Sequence, residues 1–277
     1  MKKTLAILLA AALLTVSLTG CSSKNNSGKF RVAMECSYAP YNWTQEDNSN
    51  NAAPIADSNE YANGYDVMMA QKIAAAMGKK LEVVKLDWDS LIPALQSGDV
   101  DAVIAGQSIT AKRQQVVDFS TPYYYASIVT LTLKNSKYAS AKGIDDLAGG
   151  TCTSQIGTIW YDNCLPQIKN ANVLAAQETA PSMLVALESG TVDYVVCDVP
   201  TAMAAVKVYS DMTMLDFTGT DGNFQVSDED VNLGISVQKG NSKMLKKIND
   251  VLAGMTTDDF ETMMDQAISI QPLSANN

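Results

Sequence analysis

Of the 20 basic residues in this chain only Arg31 and Arg113 are arginine; the rest are lysine. Arg113 closes the stretch Gly106-Gln-Ser-Ile-Thr-Ala-Lys-Arg113, just past an apolar run and beside a helix start. A guanidinium presents a planar fork of donors that meets a carboxylate through two parallel hydrogen bonds, which a lysine ammonium cannot do. Backbone N–H groups at Gly106 and Ser108, with the Ser108 hydroxyl, would complete an anion cradle. Asp198, at the end of the apolar run Tyr194-Val-Val-Cys197, is an acceptor suited to an ammonium group. Tyr38 and Trp88 offer aromatic faces that cover a hydrocarbon and attract a cation. One carboxylate clamp, one ammonium partner and an aromatic slot describe a site for an α-amino acid. Taken singly, each residue has a plainer reading: a solvated surface arginine, a core tryptophan, an aspartate capping the next helix.

The elements around these residues bring them together. Phe30–Met34, Leu81–Leu86 and Val100–Ala105 read as strands, and Asp66–Met77 and Ser90–Gln96 as helices stopped by Gly78 and Gly98. Strands alternating with helices predict an α/β fold built on parallel sheet. The pattern is then repeated. Leu91-Ile-Pro-Ala-Leu-Gln-Ser-Gly-Asp-Val-Asp-Ala-Val-Ile104 and Met183-Leu-Val-Ala-Leu-Glu-Ser-Gly-Thr-Val-Asp-Tyr-Val-Val196 match at seven of fourteen positions, at a constant offset of 92. Helix, glycine stop and strand recur in the same order, which predicts two similar lobes. Thr151–Ser154 is the expected first strand of the second. In open parallel sheets ligands bind beyond the carboxyl ends of the strands. Here those ends carry Glu35–Tyr38 and Gly106–Thr110 in one lobe, and Gln155–Ile159 and Cys197–Asp198 in the other. The offset superposes Gly106 on Asp198, so both lobes send equivalent loops to a shared cleft.

Composition removes several classes of chemistry. The chain has no histidine, hence no Ser-His or Cys-His nucleophile pair and none of the commonest metal ligand. No metal or cofactor is expected. A formal charge of −10 speaks against nucleic acid as a partner. Residues 1–20 carry two lysines and a short apolar run, the pattern of an export leader. Leu18-Thr19-Gly20-Cys21 resembles the lipobox of bacterial lipoproteins, which implies acylation of Cys21, with 21–29 as a polar tether. The expected location is therefore extracytoplasmic, lipid-anchored to the cell membrane. Cys36, Cys152, Cys164 and Cys197 form no C-x-x-C pair. Either one bridge joins Cys152 to Cys164, which export permits, or all four are buried free thiols. Ser236-Val-Gln-Lys239 fits a Ser-x-x-Lys motif but sits in an alternating strand pattern without companion motifs.

With these residues in place, the chain resembles the polar amino-acid-binding lipoproteins of ABC importers. The markers are Tyr38-Ala-Pro-Tyr41, Asn63-Gly-Tyr-Asp-Val67, Trp88-Asp-Ser-Leu-Ile-Pro-Ala-Leu95, Gly106–Arg113, Val117-Asp-Phe-Ser120 and Gly234-Ile-Ser-Val-Gln-Lys-Gly240. The resemblance implies a type II periplasmic-binding-protein fold with a two-strand hinge. Lobe one would comprise 30–126 and 231–277, and lobe two 127–230, with one hinge crossing at Tyr123–Tyr125. It implies that Arg113 clamps the α-carboxylate and Asp198 takes the α-ammonium. Gly106 and Ser108 would line the clamp, Gly157, Thr158 and Ile159 would form the lobe-two loop, and Tyr38 and Trp88 would be the aromatic pair. It also implies a monomer that hands a free L-amino acid to an ABC permease and ATPase.

Two departures bear on specificity. Many relatives have aspartate three residues before the tyrosine, where this chain has Glu35; an acid there suits a cationic or amide side chain. Thr44–Ala62 is longer than expected and reads as a polar, Asn-rich, mobile loop at the cleft rim. Two other functions share the fold: a lyase like the exported cyclohexadienyl dehydratases, and a sensory amino-acid-binding module.

Overall fold

The structure, a computed structural model, describes residues 28–271; the leader and Cys21 lie outside the described residues. The chain begins with β1 (Lys29–Met34), whose Phe30, Val32, Ala33 and Met34 are all fully buried, as a strand covered on both faces requires. A small meander follows: β2 (Ser37–Tyr38), β3 (Asn42–Gln45), β4 (Ala53–Pro54) and β5 (Tyr61–Asn63). Then come α1 (Tyr65–Ala76), β6 (Lys80–Lys85), α2 (Trp88–Ser97), β7 (Ala102–Val103), α3 (Ala111–Gln114) and β8 (Val117–Phe119). After the crossing strand β9 (Tyr124–Tyr125) the second lobe holds β10 (Ile128–Leu133), β11 (Thr151–Thr153), β12 (Asn172–Val173) and α4 (Ala180–Glu188). It continues through β13 (Tyr194–Asp198), α5 (Val199–Val208), β14 (Met212–Leu215) and α6 (Asp228–Val231). The return strand β15 (Asn232–Leu233) leads to β16 (Ser236–Gln238), α7 (Ser242–Leu252) and α8 (Thr257–Ile270).

Each lobe has one five-stranded sheet. The first runs β6-β1-β7-β16-β8 and the second β12-β11-β13-β10-β14. In each, the first three strands are parallel and the last two join antiparallel. β16 adds to the first sheet only after the chain has returned from the second lobe. Between the lobes, β9 and β15 pair antiparallel at Tyr125–Asn232 and Tyr124–Leu233, a ribbon of two residues from each strand.

The internal repeat is visible atom by atom. The helices α2 and α4 begin at residues 88 and 180, the same offset of 92 as the sequences. Gly98 and Gly190 both turn the chain with φ near +80° and +71°, a conformation open to glycine and costly for residues with a Cβ. Beyond each glycine an aspartate reaches across to the equivalent strand of its lobe, β1 in one and β11 in the other. Contrary to expectation β11 is not the first strand of lobe two, since β10 precedes it. Asp101 accepts from the Arg31 N–H at 2.9 Å, and Asp193 accepts from the Thr151 N–H at 2.8 Å. The other arginine is structural: Arg31 Nε donates to Glu82 on β6 at 2.7 Å and Nη1 to the Asp99 carbonyl at 2.5 Å.

One further expectation is corrected and one open alternative is decided. Residues 44–62 do not form an open loop. They contribute β4 and β5 to the four-stranded meander β2-β3-β5-β4, and Ile55 bridges Val83 on β6. Ala53, Ile55 and Ala62 are buried, so a few spaced apolar residues fold an otherwise polar segment onto the lobe. Cys152 and Cys164 are not bridged; all four described cysteines are free and buried. Cys152 is held in β11 of the second lobe's sheet and Cys164 in the helical turn Trp160–Cys164, each covered by apolar neighbours.

Candidate functional site

A cavity between the lobes is lined by Tyr38, Trp88, Gly106, Ser108 and Arg113 from one side and Gln155, Thr158, Ile159, Trp160 and Asp198 from the other. Ala126 and Leu233 of the hinge line it too, with Ile128 of β10 and Asp230 of α6 next to the hinge. The space between these residues, its solvent-open side included, is about 390 Å³.

Arg113 is placed by the short helix α3, whose start is capped by the Thr110 hydroxyl accepting from the Arg113 N–H at 3.3 Å. The guanidinium is half-buried. Its Nη1 donates to the Ser108 carbonyl at 2.9 Å, and its Nη2 reaches across the cleft to the Gly157 carbonyl at 3.2 Å. The Cζ lies 5.3 Å from the centre of the Trp88 ring, a cation–π contact that holds the fork over the cavity. Burial lowers the Arg113 pKa to about 10, which still leaves it fully charged at neutral pH. It is the only cation among the residues lining the cavity.

Asp198 faces it from the end of β13 and is also the N-cap of α5. Its Oδ1 accepts from the Thr201 N–H at 2.9 Å, and its Oδ2 accepts from the Tyr38 hydroxyl at 2.8 Å, a bond between the lobes. The carboxylate is 1% exposed, and burial raises its pKa although Thr201 and Tyr38 pull it back down. A buried carboxyl with hydrogen bonds but no cation beside it is an incomplete pair that an ammonium would complete.

Tyr38 stacks on Tyr41 at 4.7 Å and meets Trp160 at 6.1 Å, while Trp88 stands against Arg113. The aromatic slot is therefore three-sided, and Trp160 was not anticipated, although it directly follows the Gly157-Thr-Ile159 loop. Gly106 supplies closeness in place of a donor. Its N–H donates to the Tyr123 hydroxyl at 3.0 Å, and with φ +62° it has a position where a Cβ would lie 2.7 Å from the Tyr38 ring. The expected Gly106 N–H of the anion cradle is thus already satisfied. Ser108 lines the cavity and turns its carbonyl to Arg113. Thr158 steadies its own loop by donating to the Gln155 carbonyl at 2.8 Å.

Gly157 and Glu35 stand at the margins. Gly157 borders the outer cleft beside Trp88 and Asp89. Glu35 lies between the lobes, 5% exposed, with its Oε1 accepting from Gln155 Nε2 at 3.0 Å and its Oε2 unpartnered. Burial pushes its pKa to about 8, opposed by Gln155 and reinforced by Asp87, Asp66 and Asp89. A third buried acid, Asp66, ties the site to the hinge. It accepts from Tyr123 at 2.6 Å and Asn42 at 2.8 Å, and burial raises its pKa to about 7.

These two raised carboxyls set a pH dependence. In the unfolded chain Glu35 and Asp66 release their protons at ordinary carboxyl values. The folded chain keeps them to about 8 and about 7. Between those limits the native state binds more protons, so raising the pH destabilises it, by at most about 1.4 kcal/mol per unit and group. The melting temperature without amino acid should fall between pH 5.5 and 8.5; a flat or rising profile refutes the assignment.

Residues 30–267 match the profile of the bacterial extracellular solute-binding proteins, family 3. The chain is 32% identical to a probable histidine-binding protein of Neisseria gonorrhoeae over 268 residues, covering 91% of this chain and 90% of that one. Among solved structures, an ancestral arginine-binding protein bound to arginine matches with TM-score 0.67 and 31% identity, covering 86% of this chain and 97% of that one. The ancestral amino acid-binding protein AncCDT-1, a precursor of cyclohexadienyl dehydratase, matches with TM-score 0.72 and 26% identity over 87% and 96% of the two chains.

Proposed function

This chain belongs to the bacterial extracellular solute-binding proteins, family 3, and from that premise we propose that it captures a free L-amino acid with a polar or cationic side chain for an ABC importer. The observation that carries the reading is the convergence of the Arg113 fork and the Asp198 carboxylate on one cavity from opposite lobes. Arg113 takes the α-carboxylate and Asp198 the α-ammonium. Tyr38, Trp88 and Trp160 cover the hydrocarbon, and Glu35 with Gln155 reads the side chain.

Binding proceeds through the hinge. Lobe one offers Arg113 and the aromatics; Asp198 and the Thr158 loop then close from lobe two and expel water. The amino acid shifts a balance between open and closed forms by its greater affinity for the closed one. A micromolar affinity is about −8 kcal/mol. Two or three charge-assisted hydrogen bonds at ~1.5–3 kcal/mol each, with aromatic burial, supply it. The closed form docks as a monomer on a permease and ATPase, held near the membrane by acylated Cys21 and the 21–29 tether. Lobe one is 30–126 with 231–277, and lobe two is 127–230.

The test is a thermal-shift and calorimetric screen of the amino acids, with ornithine, citrulline and cystine. Saturable binding of at least one, at about micromolar strength, is expected; no binding to any sinks the reading. One observation favours a lyase: Glu35 stays protonated to about 8 inside the cleft and could serve as a general acid. Turnover of prephenate would establish that alternative.

A further inference from the structure

The stretch Asn63-Gly-Tyr-Asp-Val67 contributes nothing to the lining of the amino-acid cavity, yet its Asp66 is fully buried inside lobe one. The carboxyl sits in the first turn of α1, where the helix dipole favours a negative charge. Two chains of hydrogen bonds end on it. In one, the Cys36 N–H donates to Asn42 Oδ1 at 2.7 Å, and Asn42 Nδ2 donates to Asp66 Oδ2 at 2.8 Å. In the other, the Gly106 N–H donates to the Tyr123 hydroxyl at 3.0 Å, and that hydroxyl donates to Asp66 Oδ1 at 2.6 Å. Asn42 and Tyr123 are buried as well.

The direction of every bond is forced. A backbone N–H can only donate, so Asn42 turns its oxygen to Cys36 and its amino group to Asp66. Tyr123 accepts from Gly106 and so points its own proton at Asp66. The centre needs two acceptors and no donor, which a carboxylate supplies and an amide does not.

Both chains start in loops that build the amino-acid site. Cys36 is two residues before Tyr38, which lines the cavity and donates to Asp198. Gly106 is two residues before Ser108, whose carbonyl holds Arg113. The loops abut, the Gly106 backbone against the Tyr38 ring. Tyr123 also opens the first hinge crossing: its N–H donates to the Leu233 carbonyl on β15 at 2.9 Å, and its carbonyl accepts from the Tyr65 hydroxyl at 2.6 Å. Resting on the amino-acid reading above, we infer that Asp66 is a positioning residue of that site. Without lining the cavity, it fixes the Tyr38 loop, the Gly106–Arg113 segment and the hinge crossing relative to one another. A change there alters affinity through the aim of the clamp and not through a lost contact.

The experiment is calorimetry with a parallel thermal melt at about pH 8.5, above the value of about 7 to which burial raises Asp66. The probes are L-arginine, L-histidine, L-glutamine and L-cystine, the strongest binder of the wild type being carried through the variants. Asp66→Asn puts an amino group where only acceptors fit, and should weaken binding about tenfold or more in protein that is still folded. Tyr123→Phe strands the Gly106 N–H and should weaken it by a similar factor. The exchange of Asn42→Asp with Asp66→Asn moves the charge one step along the chain and lets all four bonds re-form. It should bring the affinity back to within about threefold of the wild type. Asp118→Asn is the control, since that carboxylate holds the Gly240 N–H and Lys239 in the same lobe without lining the cavity. It should leave the affinity within about twofold, whatever it does to the melting temperature. Unchanged affinity in Asp66→Asn and Tyr123→Phe overturns the proposal, as does an exchange variant that folds but stays weak, or a control as weak as Asp66→Asn. If Asp66→Asn does not fold, Tyr123→Phe and the exchange variant decide by the same criteria. In all these cases the wild type binds and the function proposed above stands. A wild type that binds no amino acid overturns both.

Discussion

Replacing Arg113 by alanine abolishes amino-acid binding and leaves the protein folded. Arg113 is the only cation lining the cavity, and its fork is held by Ser108, Gly157 and the Trp88 ring. Removing it leaves a desolvated carboxylate with no charged partner, a loss of about 3–5 kcal/mol, or about two to three and a half orders of magnitude in Kd. Stability should change little, because Arg113 sits in a four-residue helix and is half-buried. Arg113→Lys keeps the charge but loses the planar pair of donors, so its affinity should lie between the two. Calorimetry with a parallel thermal melt decides. Undiminished affinity in the alanine variant removes Arg113 from the site.

Asp198→Asn should cost nearly as much, for a complementary reason. Asparagine is close in shape and caps helices about as well as aspartate, so its carbonyl oxygen can still accept from Thr201 or Tyr38. What disappears is the negative charge opposite the ligand ammonium. Truncating one partner of such a buried charged pair costs about 2–5 kcal/mol. The loss should be specific to the amine. A 2-hydroxy acid with the same side chain binds the wild type far more weakly than the amino acid does, and the variant should narrow that gap. An unchanged preference for the amine would show that Asp198 is only a helix cap.

The main lines of the site were legible because the repeat gives a local sequence a global address. Neither Arg113 nor Asp198 is unusual alone. The offset of 92 placed Asp198 where Gly106 stands in the other lobe, and Arg113 is a few residues beyond. What stayed hidden depends on partners far apart in the chain. Tyr123 occupies the Gly106 N–H from 17 residues away, and Gln155 meets Glu35 from 120 residues away. No periodicity encodes such pairings. The 44–62 segment was misread because its polar composition masked the few apolar residues that fasten it to β6. The antiparallel addition of β16 was equally invisible, since it depends on the chain coming back from the other lobe. Trp160, by contrast, lay one residue beyond a loop already singled out.

The superposition of Gly106 on Asp198 has a further meaning. Two copies of one strand end, brought face to face, would make a cleft that looks alike from either side. A zwitterion could then lie in it in two opposite senses. Here the copies differ at that shared position. One has no side chain and lets Tyr38 press close; the other carries a buried negative charge. That inequality, together with Arg113 standing where the other copy has Ala205, breaks the symmetry inherited from the repeat and gives the cleft a polarity. On the amino-acid reading proposed above, carboxylate toward Arg113 and ammonium toward Asp198 would then be the one direction in which the ligand lies.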